Sequence, residues 1–366
     1  MSEEVQPLVS IVVPAFNAAK FLRESLDSLL AQTYSPVEIL VMDDASTDDT
    51  GRIAGSYGAT VRHVRQPRNR GIYDNVNDGI ALARGDYIAT YHADDVYAPT
   101  IVERQVDCFR RYPELGAVFC LDVLVDAEGH EYGRMQLPPE VRGSRPLDFA
   151  IVLNALLRHK NPFLVCPSAM TTAAIHRRVG VYRQDLWRNS SDLDMWLRIV
   201  QAAPIAILEE YLMRYRHFEG QSSRRYHRAR TEPERFFAIM DWHLQQGARG
   251  SADPGALEAY EAHRAVDWLL IAVRQYIARD INAARQSLPR VRLAVILRSR
   301  QVERGRLAVL LLLLRLLCRL PWLAWPAAAF YCRWQAPRRG GRRNGLGDLF
   351  AVLREWRTKP PEAGRP

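Results

Sequence analysis

The chain has 366 residues, 48% hydrophobic and 25% charged, with a net charge of +9. That is room for one sizeable catalytic domain plus an appendage, or for two domains, and it excludes a fibrous or a disordered protein. Residues 296–366 hold fifteen Arg and Lys against four Asp and Glu, so they carry +11 of the charge and the rest of the chain is close to −2. The slightly acidic body speaks against nucleic acid as a partner, whereas a basic tail suits an anionic membrane surface or nucleic acid, and the sequence around it decides between them.

Leu8 to Val13 is a short apolar run ended by Pro14, which predicts a buried strand. Asn17 is then placed to cap a helix in which Phe21, Leu22, Leu26, Leu29 and Leu30 share one face. Val37 to Met42 reads as a second strand, broken by Asp43 and Asp44, with Ser46 or Thr47 as the next cap. Thr60 to Val64 reads as a third strand and Asn75 to Arg84 as a helix. Tyr87 to Tyr91 is a fourth strand with His92-Ala93-Asp94-Asp95 at its end, and Ala117 to Val125 a fifth. Pro138, Pro139 and Pro146 then mark a connecting loop. Leu147 to Arg158 and Asp192 to Val200 read as helices, and Ala169 to His176 as a strand. From about Glu232 the pattern is helical to the end of the ordered chain. Alternating strands and helices predict an α/β fold, a mostly parallel sheet covered on both faces, with ligands at the carboxyl ends of the strands.

Both acidic pairs stand at such ends. Asp43-Asp44 fits a binding pair and an exposed cap-bearing turn equally, since unpaired charge is not buried without cost. Asp94 and Asp95 are hard oxygen ligands at a spacing that suits Mg²⁺ or Mn²⁺ with diphosphate oxygens; a solvated acidic turn is the alternative. Asp192 and Asp194 lie two apart at a helix start and point in different directions. Helix capping is the simpler account of that pair alone.

Taken in order, these segments resemble family-2 glycosyltransferases. The resemblance runs through Ser10-Ile-Val-Val-Pro-Ala-Phe-Asn17, Glu38-Ile-Leu-Val-Met-Asp-Asp-Ala-Ser-Thr-Asp48, Asn69-Arg-Gly71 and Ala83-Arg-Gly-Asp-Tyr-Ile88. It continues through Asp94-Asp95 and Asp192-Leu-Asp-Met-Trp-Leu-Arg198, over roughly residues 8–225. It implies a GT-A fold, a Rossmann-like nucleotide half at about 1–125 joined to an acceptor half at about 126–230. It implies that Asp44 contacts the nucleotide base, with Pro14 and Arg70 lining that pocket. Asp94 matches a ribose or metal ligand, Asp95 a metal ligand and Asp192 the general base. Many members have Asp where this chain has His92, a softer ligand that titrates near neutral pH. The metal shell is therefore expected to rest on Asp94 and Asp95, with His92 supporting the strand end. Arg216 or His217 is placed to reach the diphosphate or metal, or else to sit at a strand end. The implied partners are a nucleotide-sugar donor, foremost a UDP-sugar, and a saccharide or lipid-linked acceptor in polysaccharide or glycolipid synthesis. With no separate nucleophile in view, direct displacement with inversion is the simpler mechanism.

Beyond residue 230 a helical extension is expected to about 335, then a basic flexible tail over 336–366. Leu307 to Leu314 is apolar, and Arg315 and Arg319 interrupt the apolar sequence that runs on to Cys332. A spanning helix needs about 20 apolar residues, and two arginines inside it would each cost roughly 2.5–3.5 kcal/mol near mid-bilayer. A helix lying in the interface over 306–332 fits better, with Trp322 and Trp325 at headgroup depth. A buried helix completing the fold is the alternative. Scattered cysteines (Cys108, Cys120, Cys166, Cys318, Cys332) predict reduced thiols, and the polar opening Met1–Gln6 predicts no signal peptide. Together these place the protein in the cytoplasm, peripheral on the inner face of the cell membrane. A non-catalytic nucleotide-sugar-binding or scaffolding protein of the same fold is the competing reading. A dehydrogenase is disfavoured because no Gly-x-Gly-x-x-Gly follows the first strand.

Overall fold

The structure is a computed structural model and describes residues 6–218, 230, 232–278, 280–298 and 304–319. The chain divides into two units, Met1–Phe218 with Ile239–Asp253, and Glu219–Ala238 with Pro254–Pro366. The first opens with β1 (Val9–Ala15), α1 (Leu22–Leu30), β2 (Val37–Asp43), α2 (Thr50–Gly55), β3 (Arg62–Arg65), α3 (Ile72–Leu82) and β4 (Tyr87–Thr90). It continues with β5 (Val96–Tyr97), α4 (Ile101–Arg111), β6 (Ala117–Val125), β7 (Glu131–Arg134), α5 (Phe149–His159), β8 (Ala169–Thr172) and α6 (Ala173–Val179). Short α7 (Gln184–Trp187), α8 (Ser191–Ala202) and β9 (Ile205–Arg216) follow. The later part of α9 (Arg235–Gln245) also belongs to this unit.

One sheet runs in the order β3-β2-β1-β4-β8-β6-β9-β5, with β7 on β6. Its first four strands are parallel, so both faces are covered, and β1 shows why the sequence allows this. Val9, Ile11 and Val13 join the core formed with α1 and α4, while Val12 meets Leu40, Met42 and Ile88 on the other face. α3 lies close on that second face because Gly79 has no Cβ; one there would collide with Val12. The second half of the sheet mixes directions: β8 runs antiparallel to β4 and β6, and β9 parallel to β6. β1 pairs in parallel with β2 on one side and β4 on the other, so the ends of β2 and β4 open on either side of β1.

Three expectations change. Asn17 does not cap α1, whose N-cap is Phe21 without a side-chain bond. It sits at φ 49°, accepts from the Thr47 amide at 2.8 Å and donates its own amide to Ser46 Oγ at 3.0 Å, tying two loops. Ser46 and Thr47 are thereby used, and Asp49 stands at the cap of α2. The strand read over Ala169–His176 stops at Thr172, whose hydroxyl accepts from the Ile175 amide and starts α6.

The second unit contains no strand among the described residues; it holds the start of α9, then α10 (Pro254–Ile277), α11 (Ile281–Ser287), α12 (Leu293–Arg298) and α13 (Arg304–Arg319), with a 3-10 turn at Leu288–Arg290. Leu269, Ala272, Val273, Leu288, Ile296, Leu311 and Leu314 form its core. Arg230 donates to both oxygens of the buried Asp267 at 3.0 and 2.6 Å. The sequence boundary near residue 230 and this division differ over Ile239–Asp253, which belongs with the first unit because His243 is bonded there to Asp194. The expected tail at 336–366 lies outside the described residues, as do residues 320–332 of the apolar segment.

Candidate active site

The end of β2 is a closed structure. Asp43 is buried; it accepts from the Ser46 amide at 2.8 Å and faces His63 Nε2 at 3.4 Å and Arg65 Nη1 at 3.7 Å. Asp44 is also buried, and its two oxygens accept from the amides of Arg70 at 2.7 Å and Gly71 at 2.9 Å. Burial raises its pKa against the pull of those two amides. Asp44 thus shapes the loop that starts α3. Gly71 there has φ +86°, and a Cβ would come within 2.6 Å of the Gln184 amide. Gln184 in turn accepts from the Tyr73 amide at 2.8 Å. Pro14, buried on β1, lies beside Met42 in register, next to this loop's root. The Arg70 side chain is exposed and ion-pairs with Asp78 of α3.

The end of β4 is open in the chemical sense. One ligand atom each from His92, Asp94 and Asp95 lies within 4.8 Å of the others. The backbone there is held firmly: the Ser25 hydroxyl donates to the His92 carbonyl at 3.0 Å, and the His92 amide donates to the Tyr97 hydroxyl at 2.6 Å. Asp95 Oδ1 accepts from the Arg216 amide at 2.8 Å. Yet His92 Nε2 and Asp95 Oδ2 are buried without a hydrogen-bond partner. Burial lowers the His92 pKa to about 4, so its imidazole is neutral and has a lone pair to offer. Burial also lifts Asp94 to about 6, and burial with the Asp94 charge lifts Asp95. Orphaned donors of this kind fit a divalent cation. His92 stands within that group, not merely behind it.

Two residues escaped the sequence reading. Asp122 on β6 is 2% exposed, has a buried Oδ1 without a partner and is pushed up to about 6 by burial. A carboxylate inside an otherwise buried strand was the available signal. Tyr73 of α3 is buried, stacks on Tyr182 with ring centres 5.1 Å apart and hydrogen-bonds Asp192. Asp192 stands in the first turn of α8, half-buried, and burial raises it to about 6 against the Leu193 amide and the Tyr73 hydroxyl. Burial raises the Tyr215 pKa, and the charges of Asp95, Asp94, Asp122 and Asp192 add to that rise.

Asp194 has the opposite fate. It is buried and bonded to Arg198 Nε at 3.0 Å and His243 Nε2 at 3.0 Å, with Arg183 at 3.5 Å. Burial alone would raise it, but His243, Arg198 and Arg183 hold it below the ordinary carboxylate value. Arg216 is also occupied: it donates to the Asp94 carbonyl at 3.0 Å and to Glu24 at 2.6 Å, over the Phe21 ring. It braces the site from behind. His217 Nδ1 meets the Tyr132 hydroxyl, and the His217 amide donates to the Val125 carbonyl at 2.8 Å.

The chain resembles known proteins over this region. The family model described as glycosyl transferase family 2 matches residues 10–180. An uncharacterized glycosyltransferase of Rickettsia felis is 31% identical over 222 residues, 60% of this chain and 36% of that protein. One from Rickettsia prowazekii is 30% identical over 220 residues, 59% of this chain and 66% of that protein. This chain therefore spans less than two thirds of the length of either. Among solved structures, S. aureus TarS 1-349 in complex with UDP-GlcNAc has a TM-score of 0.57 at 16% identity, covering 96% of this chain and 91% of that one. At such identity the likeness speaks for the fold. The matched segment runs from β1 through α6 and carries both acidic strand ends; over it the chain is similar to glycosyl transferase family 2, and its fold is the GT-A fold.

Proposed function

We propose that this chain is an inverting, metal-dependent glycosyltransferase that works peripherally at a membrane on a saccharide or lipid-linked acceptor. The donor is a nucleotide sugar, and a UDP-sugar is favoured because the fold neighbour TarS is seen with UDP-GlcNAc. Pro14, Asp44 and Arg70 form the base pocket, with Asp44 acting through the Arg70–Gly71 loop that it holds. His92, Asp94 and Asp95 hold Mg²⁺ or Mn²⁺, Asp94 also reaching the ribose. When bound, that cation neutralises charge growing on the departing diphosphate.

The observation that carries the reading is the state of Asp192. A half-buried carboxylate raised to about 6 is ionised at neutral pH and basic enough to take a proton. It removes the hydroxyl proton of the acceptor as that oxygen bonds to the anomeric carbon. The bond from that carbon to the diphosphate breaks, and its electron pair leaves with the nucleotide. A binding or scaffolding role alone gives this strained group no use.

The test is Asp192→Asn in the full chain with donor and Mn²⁺. Transfer should fall by about 10²–10⁴-fold while donor affinity by calorimetry stays within about twofold. In the parent enzyme kcat/KM should climb about tenfold per pH unit to about 6 and then level, because the base must be unprotonated. Retained transfer, or lost donor binding, would remove Asp192 from this role.

A further inference from the structure

α13 is apolar on two opposite sides. Leu307, Leu311, Leu314 and Cys318 are 6, 0, 3 and 2% exposed and join the helical core. Val309, Leu312, Leu313 and Leu316 are 56, 53, 50 and 53% exposed. Their spacing, with steps of three, four and seven residues, puts them on one stripe. At about 100° per residue that stripe is centred about half a turn from the buried one. Helices that cover a core usually turn charged residues outward, and here the outer side is as aliphatic as the inner. Single exposed leucines are ordinary, whereas a row of four on one helix marks a surface that meets something.

The surrounding charge says what it meets. Arg306 stands three residues before Val309 and Arg319 three after Leu316, both exposed, and α13 contains no Asp or Glu. At the Arg319 end, Arg285, Arg315 and Arg319 line a shallow recess with Leu288, Pro289 and Cys318. The sequence then continues with Trp322 and Trp325, and residues 320–366 hold nine Arg and Lys against three Asp and Glu. Aliphatic side chains between cations, with tryptophan next in the chain, match a helix lying in the headgroup layer. Spanning is a different matter: α13 has 16 residues, and among the described residues no helix is long and apolar enough to cross a membrane.

We infer that the Val309–Leu312–Leu313–Leu316 stripe is a docking surface for an anionic phospholipid bilayer, its leucines entering the acyl boundary and its arginines engaging lipid phosphates. The inference rests on the peripheral location proposed above and names the surface responsible for it.

Flotation of the full chain with vesicles tests it. Vesicles of phosphatidylcholine alone are compared with vesicles containing phosphatidylglycerol, at low and high salt. The parent chain should float with the anionic vesicles and be released by salt. Leu312→Asn with Leu316→Asn changes only exposed positions, so thermal unfolding and nucleotide binding should stay as in the parent. Its partition should fall on the order of tenfold. If the parent ignores anionic vesicles, the location and the surface both fall. If the double variant floats like the parent, the location stands and the stripe does not. If the parent is a dimer that the double variant splits, with equal flotation of both, the stripe is a contact between copies and the lipid inference is overturned.

Discussion

The ends of β2 and β4, the two strands that flank β1 in the parallel half of the sheet, each carry two adjacent aspartates, and they are chemically unlike. At β2 the carboxylates are satisfied by the protein: Asp43 by Ser46, His63 and Arg65, Asp44 by two loop amides. At β4 the chain leaves His92 Nε2 and Asp95 Oδ2 buried and unpartnered. Such groups cost free energy that folding has to offset elsewhere. The β2 end is therefore complete in itself and shapes a loop, whereas the β4 end is completed by what binds. The same contrast recurs inside one turn of α8, where Asp194 is closed off by Arg198 and His243 while Asp192 stays raised to about 6.

Asp95→Asn attacks the open side of this comparison and has the largest expected effect. Asn keeps the Oδ1 acceptor that the Arg216 amide uses, so the local backbone should hold. Mn²⁺ affinity by calorimetry should fall on the order of 100-fold or more, and transfer by about 10³-fold. Thermal stability without metal should not drop. A clear loss of metal-free stability would mean that Asp95 is as structural as Asp43, and the comparison would break.

Asp194→Ala attacks the closed side. It leaves Arg198, buried against the Val179 and Val181 carbonyls, and His243 without their counter-charge. Unfolding in urea should show a loss of about 3–5 kcal/mol, while donor affinity measured at low temperature stays close to the parent's. A loss under about 1 kcal/mol would show that this buried pair is not a fastening.

How much of this could be read from the sequence follows the same division. Strands β1, β2, β4 and β6 were legible because they are mostly apolar runs, and α8 because Met195, Trp196 and Ile199 recur at helical spacing. The twelve-residue β9 was not, since Glu209 and Glu210 interrupt its apolar pattern and β6 supplies the pairing that holds it. The aspartates themselves were visible, as was the divergence of Asp192 and Asp194. Which carboxylate is satisfied and which is left open was hidden. That depends on partners such as Arg70, Arg216 and His243, brought in from 26, 121 and 49 residues away. Tyr73 carries no motif and is recognised only by its bond to Asp192, while Asp122 offers no more than a lone carboxylate in an apolar strand.

The smallest effect sharpens the comparison most, because its sign is unusual. Asp192 has a folded pKa of about 6 against an ordinary 3.8, so the native state holds the proton more tightly than the unfolded chain. Its favourable contribution is present at low pH and is lost as pH rises through about 6, above which the ionised group costs stability. Asp192→Asn removes that titration. At pH 7.5 the variant should be more stable than the parent by about 1–2 kcal/mol, discounted for the partial exposure of the carboxylate. At pH 3.5, below the ordinary 3.8, the two should nearly coincide, and urea unfolding at both values reads the difference. A gain in stability together with a loss of transfer is what a group kept for chemistry predicts. Asp194, fastened by its partners, must show neither the gain nor its pH dependence.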